Sequence, residues 1–241
     1  MNRLAECTVF VLVGGMGTRL RSAYSDGPKA MAPVAGAPFL SYLLRQLRAA
    51  GFSKVVLCLG YGHEHIEEWV HRDAIAGLDI QFSVESEPLG TAGAIRLAAG
   101  HLESVPRFFA MNGDSLLQLD FAAMLQAHEV RGSAATVALA HVPDTGRYGA
   151  VELDSADRIV QFREKSVSES PGYINAGIYL FEAAVLDLIP PQGSVSMERI
   201  VLPALCPNEL YGFKSNGYFI DIGIPADFQR AQTEFRELTW L

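Results

Sequence analysis

Arg19 and Lys29 are the cations of this chain best placed to hold a polyphosphate. Arg19 follows the glycines of Val13-Gly14-Gly15-Met16-Gly17-Thr18-Arg19-Leu20, and Pro28-Lys29 closes the segment. Glycines lack the Cβ that keeps backbone N–H groups away from an anion. The Arg guanidinium offers a fixed fork of donors, and the Lys ammonium a second, mobile charge. Two familiar phosphate loops do not fit. The dinucleotide fingerprint meets Leu20 where its third glycine belongs, and no Lys follows a glycine as the P-loop requires. A glycine-rich turn is weak evidence by itself, because tight turns demand glycine. Asp114, in Asn112-Gly113-Asp114, and Asp221, in Ile220-Asp221-Ile222, each follow a hydrophobic strand. Two such carboxylates, completed by phosphate oxygens, suit Mg²⁺. Asp114 read alone is also an ordinary turn former.

These residues need a scaffold, and the periodicity supplies one. Val9–Val13 reads as a strand buried on both faces, immediately before the glycines. Leu40, Leu43, Leu44 and Leu47 space a helix that stops near Gly51, with Pro38 in its first turn. Further strands are expected at 55–59, 78–84 and 107–111, with helices from His63 to His71 and from a Thr91 cap to Gly100. Strict alternation of strand and helix implies a parallel sheet. Ligands on such sheets sit beyond the carboxyl ends of the strands, where both the glycine loop and Asp114 fall. The second half changes rhythm. It holds a helix at 121–130, strands at 134–140, 148–153, 159–162, 174–180 and 211–213, and a last helix from Pro225 to about Leu238.

Composition bounds the partners. The 241 residues are 49% hydrophobic, which suits one compact domain, here 1–241, with a nucleotide half at about 8–114 and a sugar half at about 115–241. The formal charge of −8, from 19 Lys and Arg against 27 Asp and Glu, argues against nucleic acid or an anionic membrane as a partner. Against that background Arg19, Arg21 and Lys29 stand out as a basic cluster. No apolar run reaches the roughly 18 residues of a membrane span, and Met1–Thr8 is too short and polar for a signal peptide. Cys7, Cys58 and Cys206 make neither a zinc pattern nor a disulfide framework, so a reducing cytoplasm is expected. Cys58 reads as core. The six histidines receive no role.

The string from Gly14 to Leu20 followed by Pro28-Lys29 resembles the signature of the sugar-1-phosphate nucleotidyltransferases, and the resemblance runs from Phe10 to about Phe228. It implies an α/β, Rossmann-like three-layer fold with a mainly parallel central sheet and a smaller antiparallel sugar-binding part. It implies Mg²⁺ on Asp114 and Asp221, since Asn112-Gly113-Asp114 and Phe219-Ile220-Asp221-Ile222-Gly223 match the segments that hold the metal. It makes Val13, Gly14, Gly15, Gly17, Thr18, Arg19, Lys29, Asn112 and Asp114 nucleotide-binding. Phe162-Arg163-Glu164-Lys165 is by charge alone a solvated loop. By resemblance Lys165 binds the sugar phosphate and Glu164 the sugar hydroxyls. Tyr148 and Gly149, with Asn175 and Gly177, match the segments that face the sugar. Glu85-Ser86-Glu87-Pro88-Leu89-Gly90-Thr91 matches the base-recognition stretch, with Gly90 and Thr91 against base and ribose.

Glu85 stands where uridylyl- and thymidylyltransferases characteristically carry Gln. A carboxylate only accepts, which suits the adjacent N1–H and N2–H₂ donors of guanine; an amide suits the mixed edge of uracil or thymine. A surface Glu at a strand end is the plain alternative. Within the family the chain looks most like the D-glycero-α-D-manno-heptose 1-phosphate guanylyltransferases. That reading rests on Leu20-Arg21-Ser22 through Met31-Ala32-Pro33-Val34 and on a chain that ends after the catalytic domain. Ala30 departs from the family's usual second proline. The implied substrates are GTP and a sugar 1-phosphate, and a homo-oligomer is left open. The alternatives are a mannose-1-phosphate guanylyltransferase, a glucose-1-phosphate uridylyl- or thymidylyltransferase, and, outside catalysis, a nucleotide-sugar-sensing regulator.

Overall fold

A computed structural model describes residues 3–15, 17–73, 75–102, 105–163 and 170–239. In chain order, β1 (Thr8–Leu12) is followed by the short ribbon β2 (Pro33–Val34) and β3 (Ala37–Pro38), then α1 (Phe39–Ala50), β4 (Lys54–Leu59), α2 (His63–Asp73) and β5 (Asp79–Val84). Next come α3 (Gly90–Ala98), β6 (Arg107–Asn112), β7 (Ser115–Leu117), α4 (Phe121–Arg131) and β8 (Ala135–Val142). The chain continues with β9 (Val151–Leu153), β10 (Ile159–Phe162), β11 (Gly172–Glu182), α5 (Leu202–Leu205), β12 (Leu210–Ser215), β13 (Phe219–Asp221) and α6 (Pro225–Glu234).

Seven strands form one sheet in the order β12-β8-β11-β6-β1-β4-β5. β1 pairs in parallel with β4 and β6, while β11 runs antiparallel to both β6 and β8. The long strands of the second half thus join the main sheet. Antiparallel pairing falls on β11, on the ribbons β2–β3, β7–β13 and β9–β10, and on an isolated bridge between Arg158 and Tyr211.

Period-two alternation explains the three layers. Val9 and Val11 of β1, Val55 and Leu57 of β4, and Phe109 and Met111 of β6 face one core, shared with α1, α2, α4 and α6. Phe10, Val56, Cys58, Phe108 and Ala110 face the other, covered by α3 and the 185–205 segment. Each large side chain buried this way contributes about 1.5–3 kcal/mol. The step from β5 to β6 runs opposite to the steps from β1 to β4 to β5. A right-handed crossover therefore puts α3 on the other face.

Local signals set most helix ends. α1 begins at Phe39, with Pro38 one position outside it rather than in the first turn. It ends at Gly51, φ 100°, where Gly51 N–H donates to Arg48 O and Phe52 N–H to Leu47 O. Asp120 caps α4 by accepting from Ala123 N–H at 2.9 Å. Thr91 does not cap α3 as the sequence suggested. The helix starts at Gly90, and its Ala92 and Gly93 N–H groups donate to Val195 O, at 2.9 and 3.4 Å. Two boundaries also move inward: β9 starts at Val151 rather than Tyr148, and α6 ends at Glu234.

Candidate active site

The order of the sheet reverses between β1 and β6, and a crevice opens there beyond the strand ends. The glycine loop leaves β1 on one side. Val13 N–H donates to Cys58 O at 2.9 Å, and Gly113 N–H to Leu12 O at 2.9 Å, so both loops depart from fixed points. Gly17 adopts φ +58° and turns the loop over Lys29; a Cβ there would stand 3.0 Å from Lys29 Cβ. A pocket of about 220 Å³ results, lined by Val13, Gly15, Gly17, Thr18, Arg19, Lys29, Asp114 and Gly223.

Lys29 holds the centre of it. Its Nζ lies 2.5 Å from Asp114 Oδ2 and 3.8 Å from Asp221 Oδ1. The two aspartates, remote in sequence, meet because β7 and β13 pair. Ser115 faces Asp221 in that ribbon, and Ile222 N–H donates to Asp114 O at 2.9 Å. Asp221 Oδ1 also accepts from Gly223 N–H at 2.7 Å. Burial pushes the Asp221 carboxyl pKa upward and the Asp114 charge adds to this, with Lys29 opposing.

A second pocket of about 330 Å³ shares Leu12, Gly15 and Asp114 with the first and extends to Cys58, Glu85, Pro88, Gly90, Thr91 and Asn112. Gly14 lines this one. Glu85 Oε2 accepts from Leu89 N–H at 3.0 Å, closing the Glu85–Leu89 turn. Cys58 is core and also lines this pocket; burial raises its thiol pKa to about 12.

Tyr148, Gly149, Asn175 and Gly177 stand outside both linings, on the neighbouring β9 and β11 side. Tyr148 packs edge-on against Phe219 of β13, ring centroids 5.7 Å apart. Gly177, φ +75°, passes so close to Asn112 that a Cβ would lie 2.6 Å from its Nδ2. Its N–H donates to Asn175 Oδ1 at 2.8 Å. Glu164 and Lys165 lie outside the described residues.

Three residues escaped the sequence reading. Asp227 is buried in the first turn of α6 and pairs with Arg147 of the Tyr148 loop and with Arg230. Pro225 followed two residues later by an acid was a helix-start signal, but it named no partner. Glu198 and Tyr179 join Thr91 to Asn175 through contacts that no local pattern announces.

The fold and the crevice define an α/β protein with a cationic, carboxylate-bearing pocket at the switch point of its sheet. The chain belongs to the nucleotidyl transferase family, whose model matches residues 8–237. It is 40% identical over 227 residues to the mannose-1-phosphate guanylyltransferase of Mycobacterium tuberculosis, across 93% of this chain but only 63% of that relative. It is 38% identical over 227 residues to the D-glycero-alpha-D-manno-heptose 1-phosphate guanylyltransferase of Aneurinibacillus thermoaerophilus, across 94% and 97% of the two chains. The crystal structure of HddC from Yersinia pseudotuberculosis complexed with GMP-PN superposes with a TM-score of 0.86 at 32% identity, covering 95% of this chain and 99% of that one. A Bacillus anthracis structure at 21% identity shares the fold, with a TM-score of 0.84.

Nucleotidyltransferases of this family generally use a divalent metal ion. Asp114 and Asp221 fit one: their donors are all oxygen, and they converge on one point. Among the described residues no third His, Cys, Asp or Glu joins them, so phosphate oxygens and water would have to complete the shell of a bound ion. No helix among the described residues is long and apolar enough to cross a membrane.

Proposed function

We propose that the chain transfers a guanylyl group from GTP to a sugar 1-phosphate, D-glycero-α-D-manno-heptose 1-phosphate in particular, giving a GDP-sugar and pyrophosphate. The observation that carries this is Lys29, in the first pocket, poised 2.5 Å from Asp114, which lines both pockets. One pocket has the charge for phosphates and the other the size and lining for a base. The heptose assignment draws on the relative matched over 97% of its own length. Mannose 1-phosphate is the second reading, favoured by the 40% identity of the Mycobacterium relative.

A phosphate oxygen of the sugar 1-phosphate attacks the α-phosphorus in line, and pyrophosphate leaves. The nucleophile is already an anion, so no general base is needed, and rate comes from positioning and charge neutralisation. Arg19 and Lys29 hold the leaving pyrophosphate with the loop N–H groups of Val13, Gly14, Gly15, Gly17 and Thr18. Lys165 holds the incoming phosphate. Glu164, Asn175, Gly177, Tyr148 and Gly149 contact the sugar, and Gly90, Thr91 and Asn112 the nucleoside. Asp114 and Asp221 would hold Mg²⁺, which would supply further charge neutralisation at the phosphates. Glu85 reads guanine: with Oε2 held by Leu89 N–H, the carboxylate still has lone pairs for N1–H and N2–H₂. The nucleotide half (8–114) and sugar half (115–241) work as one domain.

The test is pyrophosphate release with each of four nucleoside triphosphates against heptose, mannose and glucose 1-phosphates. GTP with the heptose phosphate should give the highest kcat/KM. A preference for UTP or dTTP would overturn the guanylyl assignment.

A further inference from the structure

Glu198 belongs to the sugar half in sequence, yet its carboxylate is bound to the nucleotide half. It sits in a single turn of π-helix, Met197–Val201, a form found often at functional sites. Oε2 accepts from Thr91 Oγ1 at 2.9 Å and from Ser196 Oγ at 2.9 Å. Oε1 accepts from Tyr179 OH at 3.2 Å. Thr91 Oγ1 in turn accepts from Met197 N–H at 2.7 Å, so its hydroxyl is held at both ends. Tyr179 is fully buried and stacked on Phe181, and its hydroxyl accepts from Asn175 Nδ2 at 3.0 Å. Burial holds the phenol protonated, which keeps it a donor to Glu198. Asn175 then fixes Gly177 N–H, and Gly177 rests on Asn112, which lines the same pocket as Thr91.

The series of contacts starts and ends on the lining of one pocket. It runs Thr91, Glu198, Tyr179, Asn175, Gly177 and Asn112. Two members face the nucleoside and two face the sugar in the assignment above, on which this inference rests. The backbone reinforces the link: Val195 accepts the N–H groups that open α3 and donates its own N–H to Leu89 O at 2.7 Å.

We propose that Glu198 is a positioning residue that ties the first turn of α3 to the sugar-facing bulge of β11, so that the nucleoside and sugar sites hold a fixed relative placement. An in-line reaction between two bound substrates depends on that placement. Glu198 touches neither substrate. It acts through Thr91 on one side and through Tyr179 and Asn175 on the other.

The experiment uses the full chain and five variants, with initial rates in both substrates, binding of a non-hydrolysable GTP analogue by calorimetry, and thermal melting. Y179F keeps the ring and the packing. It should raise the KM for sugar 1-phosphate about three- to tenfold and leave analogue binding unchanged. E198A should raise the KM for both substrates and lower kcat about ten- to a hundredfold. E198Q, whose amide still meets rotatable hydroxyls, should recover to within about threefold of wild type. Y179F combined with E198A should be no worse for the sugar than E198A alone, because the link is already cut. Multiplicative effects of the two changes would overturn the bridge. So would an E198A protein that only melts lower while both KM values hold, or a Y179F protein with an unchanged sugar KM. N175A separates the two levels. If it leaves the sugar KM unchanged, the placement of the sugar on Asn175 fails and the coupling fails with it. If N175A raises that KM and E198A does not, the bridge alone is wrong.

Discussion

Lys29 Nζ lies 2.5 Å from Asp114 Oδ2 and 3.8 Å from Asp221 Oδ1, so one ammonium occupies the mouth of the carboxylate pair assigned to the metal. It offsets the repulsion between them. K29M should use GTP about ten- to a hundredfold less well, the worth of a charge-assisted hydrogen bond. The bare pair should also take Mg²⁺ more readily without substrate. Melting curves at increasing Mg²⁺ check this: the metal should raise the Tm of K29M more than that of wild type. Equal shifts would place the metal elsewhere.

Asp221 carries a cost that the proposed metal role would explain. Burial and the nearby Asp114 disfavour its charged form. D221N keeps an acceptor for Gly223 N–H and removes that buried charge. It should melt no lower than wild type and yet lose turnover, as should D114N. Turnover at limiting Mg²⁺ beside thermal melting decides it, and full activity of either variant would remove that residue from the metal site.

Glu85 should set the choice of base. Uracil and thymine would turn a carbonyl oxygen toward its carboxylate, and two acceptors would meet. E85Q should cost GTP about 1–3 kcal/mol in activation free energy and raise activity with UTP or dTTP. An unchanged GTP preference would leave Glu85 with only its bond to Leu89 N–H.

Asp227 latches the Tyr148 loop to α6 through Arg147, whose guanidinium also lies 4.5 Å from the Tyr148 ring centroid. D227N removes a buried carboxylate from two arginines. The sugar 1-phosphate KM should rise about tenfold as the loop loosens, with a stability loss of only about 1 kcal/mol, because both arginines are half exposed and stay solvated. Steady-state kinetics in each substrate and chemical denaturation measure both; a rise confined to the GTP KM would put this loop on the nucleotide side.

His128 is fully buried between Thr136 Oγ1 at 2.8 Å and Glu182 Oε1 at 3.1 Å. Burial lowers its pKa from 6.5, against the pull of the Glu182 carboxylate. The unfolded chain therefore takes up the proton first as pH falls. The stability that neutral His128 lends is complete above pH 6.5 and declines below it. The wild-type Tm should drop between about pH 6.5 and 5 by more than that of H128Q. Parallel curves would deny His128 this part.

The sequence alone determined what depends on near neighbours. The run Val9–Val13 before the glycines, the leucine spacing of α1 and the Asn-Gly-Asp turn after β6 are short-range patterns of burial period and turn chemistry, and each appears where those patterns place it. They put Arg19, Lys29 and Asp114 on one rim. The tertiary structure decided what depends on partners distant in the chain. Asp221 reaches Asp114 only because β7 and β13 pair. Thr91, a cap by local rule, gave that part to the Val195 carbonyl and turned its hydroxyl to Glu198. The Glu85 carboxylate gives Oε2 to the Leu89 N–H, a partner that no pattern in the chain named. Asp227 found Arg147 because α6 packs where the sugar-side loop returns. The physical reason is common to all four. Buried backbone and carboxylate groups must find hydrogen-bond partners, and which partner stands within 3 Å is settled by how helices and strands pack, not by what precedes them in the chain.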